Sequence, residues 1–137
     1  MNRNFEFDFV TVVRWGEEVL DLHNAYDLKS IGTGLAGTEA RLIFTRNEHA
    51  IGPDRLPEKV TLDCKGNVKI AFNDLTAIAA PLGDEGVEIA YFHDGCDWLS
   101  FLDEGMARLS EPQGLDVRFT NGLVVRIFCD EATLTTV

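Results

Sequence analysis

The sequence predicts an α+β fold, mainly antiparallel β, arranged as a sandwich or strongly curved sheet with one or two short helices. Three observations predict it. Apolar and polar residues alternate through most of the chain, the period-two pattern of half-buried strands. Turn-forming residues such as Lys65-Gly66-Asn67 and Thr120-Asn121-Gly122 separate the runs. Strands with one apolar face each need a second layer, or strong curvature, to cover that face. At 137 residues and 45% hydrophobic content, the chain suits a single domain, residues 1–137, with a substantial core.

Taken in order, Phe5, Phe7 and Phe9 alternate with Glu6 and Asp8 and predict a strand. Trp15, Val19, Leu22 and Tyr26 recur at helical spacing and predict an amphipathic helix near residues 15–25. Ala40, Leu42 and Phe44 form the next alternating run. A long surface loop is expected from Asn47 to Glu58, with Gly52, Pro53 and Pro57 inside it. Val60, Leu62 and Cys64 then alternate with Thr61 and Asp63, and Val68, Ile70 and Phe72 with Lys69 and Ala71. A three-residue loop at 65–67 would set Cys64 opposite Val68, Leu62 opposite Ile70 and Asp63 beside Lys69.

Val87, Ile89 and Tyr91 predict a further strand. Trp98, Phe101, Leu102, Met106 and Leu109 suit a helix with Asp97 as its N-cap, whereas Gly105 opposes one, so helix and strand both stay open for 97–109. Leu115, Val117 and Phe119 alternate with Asp116 and Arg118. A loop over 120–122, with Gly122 left-handed, places Phe119 opposite Leu123, Val117 opposite Val125, Leu115 opposite Ile127 and Asp116 opposite Arg126. Residues Leu123 to Cys129 are apolar on both faces except for Arg126, as in a central strand.

Charge is unevenly spread. From Ile70 to Ala107 there is no Lys or Arg, and eight acids fall there: Asp74, Asp84, Glu85, Glu88, Asp94, Asp97, Asp103 and Glu104. That stretch supplies -8 of a formal net charge of -11. Aromatic residues Tyr91, Phe92, Trp98 and Phe101 lie among the acids. Such a balance argues against nucleic acid, whose phosphates require Lys and Arg, and against anionic membrane surfaces. It favours attraction to a basic protein. The three cysteines, Cys64, Cys96 and Cys129, show no disulfide-framework spacing and read as small buried hydrophobes in a reducing compartment. The N-terminal stretch lacks the continuous apolar core of a signal peptide, so a cytoplasmic protein is expected.

Motifs for catalysis are weak. Residues Gly32 to Gly37 match G-x-G-x-x-G, but pyrophosphate binding needs a helix after the glycines, and Glu39 to Arg46 reads as strand. A turn between strands is expected instead. His93, Asp94, Cys96 and Asp97 are metal-ligand types without metal-site spacing. None of the three serines lies in Gly-x-Ser-x-Gly. No cofactor is implied.

Several segments resemble small bacterial domains akin to the immunity proteins of polymorphic toxin systems. They are Tyr26-Asp27-Leu28-Lys29-Ser30-Ile31, the Ala40–Phe44 strand, the Val60–Cys64 segment, and Gly114–Phe119 with Phe128-Cys129-Asp130. Together they cover roughly half of the chain, outside residues 70–107. The resemblance implies a binding role and brings no catalytic residue. The leading expectation is a non-enzymatic binding protein, an immunity-type inhibitor whose basic partner docks on Asp84, Glu85, Asp94, Asp97, Trp98, Asp103 and Glu104. The alternatives are a small metal-dependent hydrolase using His93, Asp94 and Asp97, and a homo-oligomeric structural domain pairing exposed strand edges.

Overall fold

The computed structural model describes residues 1–9, 12–34, 37–73, 85–93 and 114–137, with residues 8, 9 and 85–93 described as backbone alone. The elements run β1 (Asn2–Arg3), β2 (Glu6–Phe9), β3 (Val12–Trp15), β4 (Glu18–Asp21), α1 (Leu22–Ala25), β5 (Tyr26–Thr33) and β6 (Glu39–Arg46). A 3-10 turn at Pro53–Arg55 precedes β7 (Lys59–Lys65), β8 (Lys69–Phe72), β9 (Glu85–His93), β10 (Gly114–Phe119), β11 (Val124–Phe128) and β12 (Glu131–Thr136). Nine strands form a ladder in the order β1-β12-β7-β6-β5-β9-β10-β11-β8, and β2-β3-β4 form a separate sheet. Only the β1–β12 pairing is parallel among the described residues. The ladder narrows to two residue pairs between β5 and β9, Asp27 with Gly86 and Leu28 with Glu85. That short joint divides it into a five-stranded and a four-stranded part. The expectation of a mainly antiparallel β protein holds.

One apolar cluster draws on all of these parts. Phe5, Val13 and Leu20 of the small sheet region join Leu28, Leu42, Phe44 and Leu62, and also Leu115, Val117, Val125 and Ile127. Alternation explains the selection, since Ala40, Leu42 and Phe44 are buried while Glu39 and Arg41 are exposed. Burying a Leu or Phe side chain contributes roughly 1.5–3 kcal/mol, so this cluster is the main source of stability.

The predicted helix near 15–25 is corrected. Residues 12–21 form a hairpin with Val13 opposite Leu20 and Trp15 opposite Glu18. Gly16 at φ +60° opens its two-residue loop, a backbone state that glycine adopts without steric cost. Val19, assigned by spacing to the apolar helix face, is 56% exposed. Helix persists only as α1, where the Asp21 carboxylate accepts from the backbone N–H of His23 and Asn24 at 3.0 and 3.1 Å.

The predicted hairpin at 65–67 is also corrected. The chain does turn there, with positive φ at Gly66 and Asn67, but β7 and β8 do not pair. β7 lies between β6 and β12, so Cys64 stands opposite Ala40 and Ala132. β8 pairs with β11 instead, setting Ile70 opposite Ile127 and Phe72 opposite Val125. Asp63 consequently meets Arg41, whose Nε donates to its carboxylate at 2.5 Å, rather than Lys69. The Asp130 backbone N–H donates to the carbonyls of Lys65 and Gly66, holding this turn against the entrance to β12.

The hairpin at 120–122 has the expected register. Gly122 has φ +85°, the Phe119 N–H donates to the Leu123 carbonyl at 2.8 Å, and Asp116 lies opposite Arg126. The environment of that last pair differs from a solvated cross-strand pair. Both side chains are 1% exposed. Arg126 Nε and Nη2 donate to the two Asp116 carboxylate oxygens at 2.7 and 2.6 Å. β11 is flanked by β10 and β8, so the expected central strand is found and its one arginine is buried.

Two asparagines extend the ladder where the backbone departs. Asn4 Nδ2 donates to the Leu134 carbonyl, and Asn4 Oδ1 accepts from the Leu134 N–H, at 3.0 and 2.8 Å. Asn73 does the same at the end of β11, accepting from Val124 N–H at 2.7 Å and donating to the Gly122 carbonyl at 3.0 Å. Each amide offers one donor and one acceptor in place of a peptide unit.

Breaking the buried ion pair by removing one partner should be costly. Asp116→Leu is expected to lose about 3–5 kcal/mol in urea unfolding, because it removes both short hydrogen bonds that Asp116 accepts from a guanidinium only 1% exposed. Adding Arg126→Met should recover most of that loss. A double variant as unstable as the single would show that the loss comes from packing rather than from charge.

Candidate functional site

The acid-rich segment reaches the described structure only at its flanks and in β9. Glu85 opens β9 opposite Leu28, and His93 closes it opposite Gly114. Asp84, Asp94, Asp97, Trp98, Asp103 and Glu104 lie outside the described residues, as do Cys96 and the 97–109 segment.

Beside the β5–β9 joint is a groove of about 440 Å³ lined by Asp27, Lys29, Arg46, Asn47, Glu48 and His49. Strand geometry builds its floor. Asp27 stands opposite Thr45 on one side and Gly86 on the other. One residue later the β5–β6 register shifts, leaving Lys29 as the extra residue between the Leu28–Phe44 and Ser30–Ile43 pairs. Such a bulge bends the strand and re-aims a side chain. Lys29 is exposed and lines the groove.

The wall is the 47–58 loop, and polar bonds fasten it. Arg46 Nη1 donates to the carbonyls of Pro53 and Leu56, and the Arg46 N–H to the carbonyl of Glu58. The buried Tyr26 hydroxyl donates to the Pro57 carbonyl at 3.1 Å. Burial pushes the Tyr26 phenol up, with Arg46 pulling weakly the other way. Asn47 ties the loop back to α1 by donating from its N–H to the Ala25 carbonyl and from Nδ2 to the Asn24 carbonyl.

Asp27 has an unusual setting for a carboxylate. It is only 9% exposed, and it has no hydrogen bond or ion pair among the described residues. No fully enclosed side-chain oxygen or nitrogen lacks a partner among those residues. The Asp27 oxygens therefore retain an opening, and the groove supplies it. The nearby cations are committed elsewhere. Arg46 Nη1 is used by the loop carbonyls, and Lys29 has a partner of its own. At the groove mouth His49 Nε2 lies 3.6 Å from Glu48 Oε1, both well exposed.

Among the described residues no Ser or Cys lines the groove. No three His, Cys, Asp or Glu side chains gather for a metal ion among the described residues. What the groove offers is a buried acceptor able to take a cationic or strongly donating group. Sequence reading missed Asp27. The available signal was an acid flanked by two large apolar residues, Tyr26 and Leu28, that are both fully buried.

Gly32 lies within β5, which ends at Thr33, and the Gly34 N–H donates to the Glu39 carbonyl at 2.9 Å. Strand β6 follows it where a dinucleotide fold places a helix. No protein-family model, curated protein or solved structure matches the chain.

Arg46→Met should loosen the loop, since hydrogen bonds from a charged donor contribute about 1.5–3 kcal/mol. Trypsin cleavage after Arg55, timed under native conditions, is expected to accelerate about tenfold or more.

Proposed function

We propose that the protein is a non-enzymatic binding protein of the immunity-inhibitor kind, which captures a basic protein partner. The observation that carries this reading is Asp27, a buried carboxylate facing a groove with no internal cation assigned to it. A Lys or Arg side chain of a partner would supply the missing charge. Glu85 lies opposite Leu28, one residue from Asp27 along β5. The groove thus adjoins a sequence segment with eight acids and no base. Long-range attraction by that segment would bring the partner in, and Asp27 would receive one side chain.

A basic partner would be attracted by a segment with a net charge of -8. The acids expected to contact it are Asp84, Glu85, Asp94, Asp97, Asp103 and Glu104, with Trp98 as an aromatic anchor.

A deca-arginine peptide is a direct probe, with a deca-glutamate peptide as control. Binding of the arginine peptide is expected at low salt and should weaken steeply with added salt. Reversing Asp94, Asp97, Asp103 and Glu104 to Lys should slow association by about tenfold or more. Asp27→Asn should leave the association rate nearly unchanged and speed dissociation. Equal binding of both peptides, or no effect of the four reversals, would remove the proposal.

A further inference from the structure

The turn between β10 and β11 sets an asparagine amide beside the main-chain nitrogen of a glycine. Thr120, Asn121 and Gly122 are all exposed, between the buried Phe119 and Leu123. Two bonds fold the main chain back. The Gly122 N–H donates to the Phe119 carbonyl at 2.9 Å, and the Phe119 N–H to the Leu123 carbonyl at 2.8 Å. A third bends the Asn121 side chain forward over Gly122, because its Oδ1 accepts from the Leu123 N–H at 2.9 Å. Asparagine commonly bonds the main chain two residues on in this way. Gly122 has φ +85°, and a Cβ built on it would meet nothing within 4 Å. Glycine therefore stands here for its backbone angle, and the space beside it is open. No other asparagine in the chain precedes glycine.

We propose that Asn121 is a site of self-modification in the folded chain. The Gly122 nitrogen attacks the Asn121 amide carbon, and a cyclic imide then opens to aspartyl and isoaspartyl products. Water is the only co-reactant. A bond forms from Gly122 N to Asn121 Cγ and the Cγ–Nδ2 bond breaks. The Gly122 amide proton passes to solvent, and Nδ2 takes up a proton and leaves as ammonia. Water then adds at either imide carbonyl. Three features favour the step here. Ring closure is intramolecular, so no encounter has to be arranged. The Leu123 N–H already donates to Oδ1, the atom on which negative charge develops during attack. Glycine has no side chain to crowd the attacking nitrogen. The opposing feature is the Gly122 N–H bond to Phe119, which must open first. It closes a turn of three exposed residues, the kind of bond that opens locally at least cost. The aspartyl product keeps an oxygen for the Leu123 N–H. The isoaspartyl product lengthens the main chain by a methylene inside the loop that sets the β10–β11 register, so it should weaken that hairpin.

The test incubates the full folded chain at mildly alkaline pH and follows the tryptic peptide 119–126, whose only amide side chain is Asn121. An unincubated sample digested in parallel gives the baseline. The expected result is the mass gain of exchanging NH2 for OH in this peptide, ahead of any peptide carrying another asparagine. Enzymatic methyl labelling should place isoaspartate there. The isoaspartyl fraction should unfold at lower urea than Asn121→Asp. Asn121→Gln, which would have to close a larger ring, should lose the mass gain. A gain that appears only after unfolding in urea would overturn the proposal, as would earlier modification of another asparagine or an undiminished gain in Asn121→Gln. The peptide measurement on the unsubstituted chain needs no variant, so it stands even if Asn121→Gln fails to fold.

Discussion

The Asp116–Arg126 pair controls the register of the four-stranded part of the ladder. A cross-strand apolar pair tolerates a slip at the cost of exposing some surface. A buried charge pair does not. Slipping β10 by one residue would put Asp116 opposite Val125 or Ile127 and separate two charges that are each 1% exposed. Hydrophobic alternation alone fixes which face is inward. The ion pair fixes which residue faces which. Because β9 pairs along the other side of β10 and β8 along the other side of β11, the constraint spreads to four strands. It also extends to the groove, since β9 runs from the β10 pairing to the two-residue joint with β5.

The two hairpin readings show what local sequence can and cannot specify. Residues 65–67 and 120–122 carry the same signal, a glycine in a short polar turn between alternating runs. At 120–122 local pairing survives, because β10 and β11 bury matching faces and share the ion pair. At 65–67 the turn forms but the pairing does not. β7 has longer partners on both sides, seven pairs with β6 and six with β12, whereas β8 is four residues long. Six-residue and seven-residue ladders outcompete a short local one. Alternation reports which side of a strand is buried and is silent about the neighbour. The helix expected near 15–25 failed for a related reason. Trp15, Val19, Leu22 and Tyr26 do fall at helical intervals, yet Gly16 lets the chain reverse and bury Val13 and Leu20 as a strand pair.

The site was less legible than the fold. A charge map needs only the sequence, and it located the acid-rich segment. Asp27 could not be found that way, because its significance is not its charge but its lack of a partner. That property depends on where Arg46 and Lys29 point. Arg46 lies opposite Tyr26, one position from Asp27 in the β5–β6 register, and simple proximity would have paired the two. The 47–58 loop draws the guanidinium away, since the Pro53 and Leu56 carbonyls need donors. Which acceptor an arginine serves is a property of the folded loop.

Asp116 and Asp27 make the argument for function by contrast. Both are carboxylates in strands, and both are nearly excluded from solvent. For Asp116 the chain supplies a guanidinium with two short hydrogen bonds. That arrangement is what a buried acid requires to be stably charged. For Asp27 the fold leaves an open groove that Lys29 and Arg46 also line without a hydrogen bond to it among the described residues, with a bulge beside it and a braced loop as its wall. Under the binding reading proposed above, that space is the route by which a cationic side chain from a partner would reach the carboxylate without displacing the core.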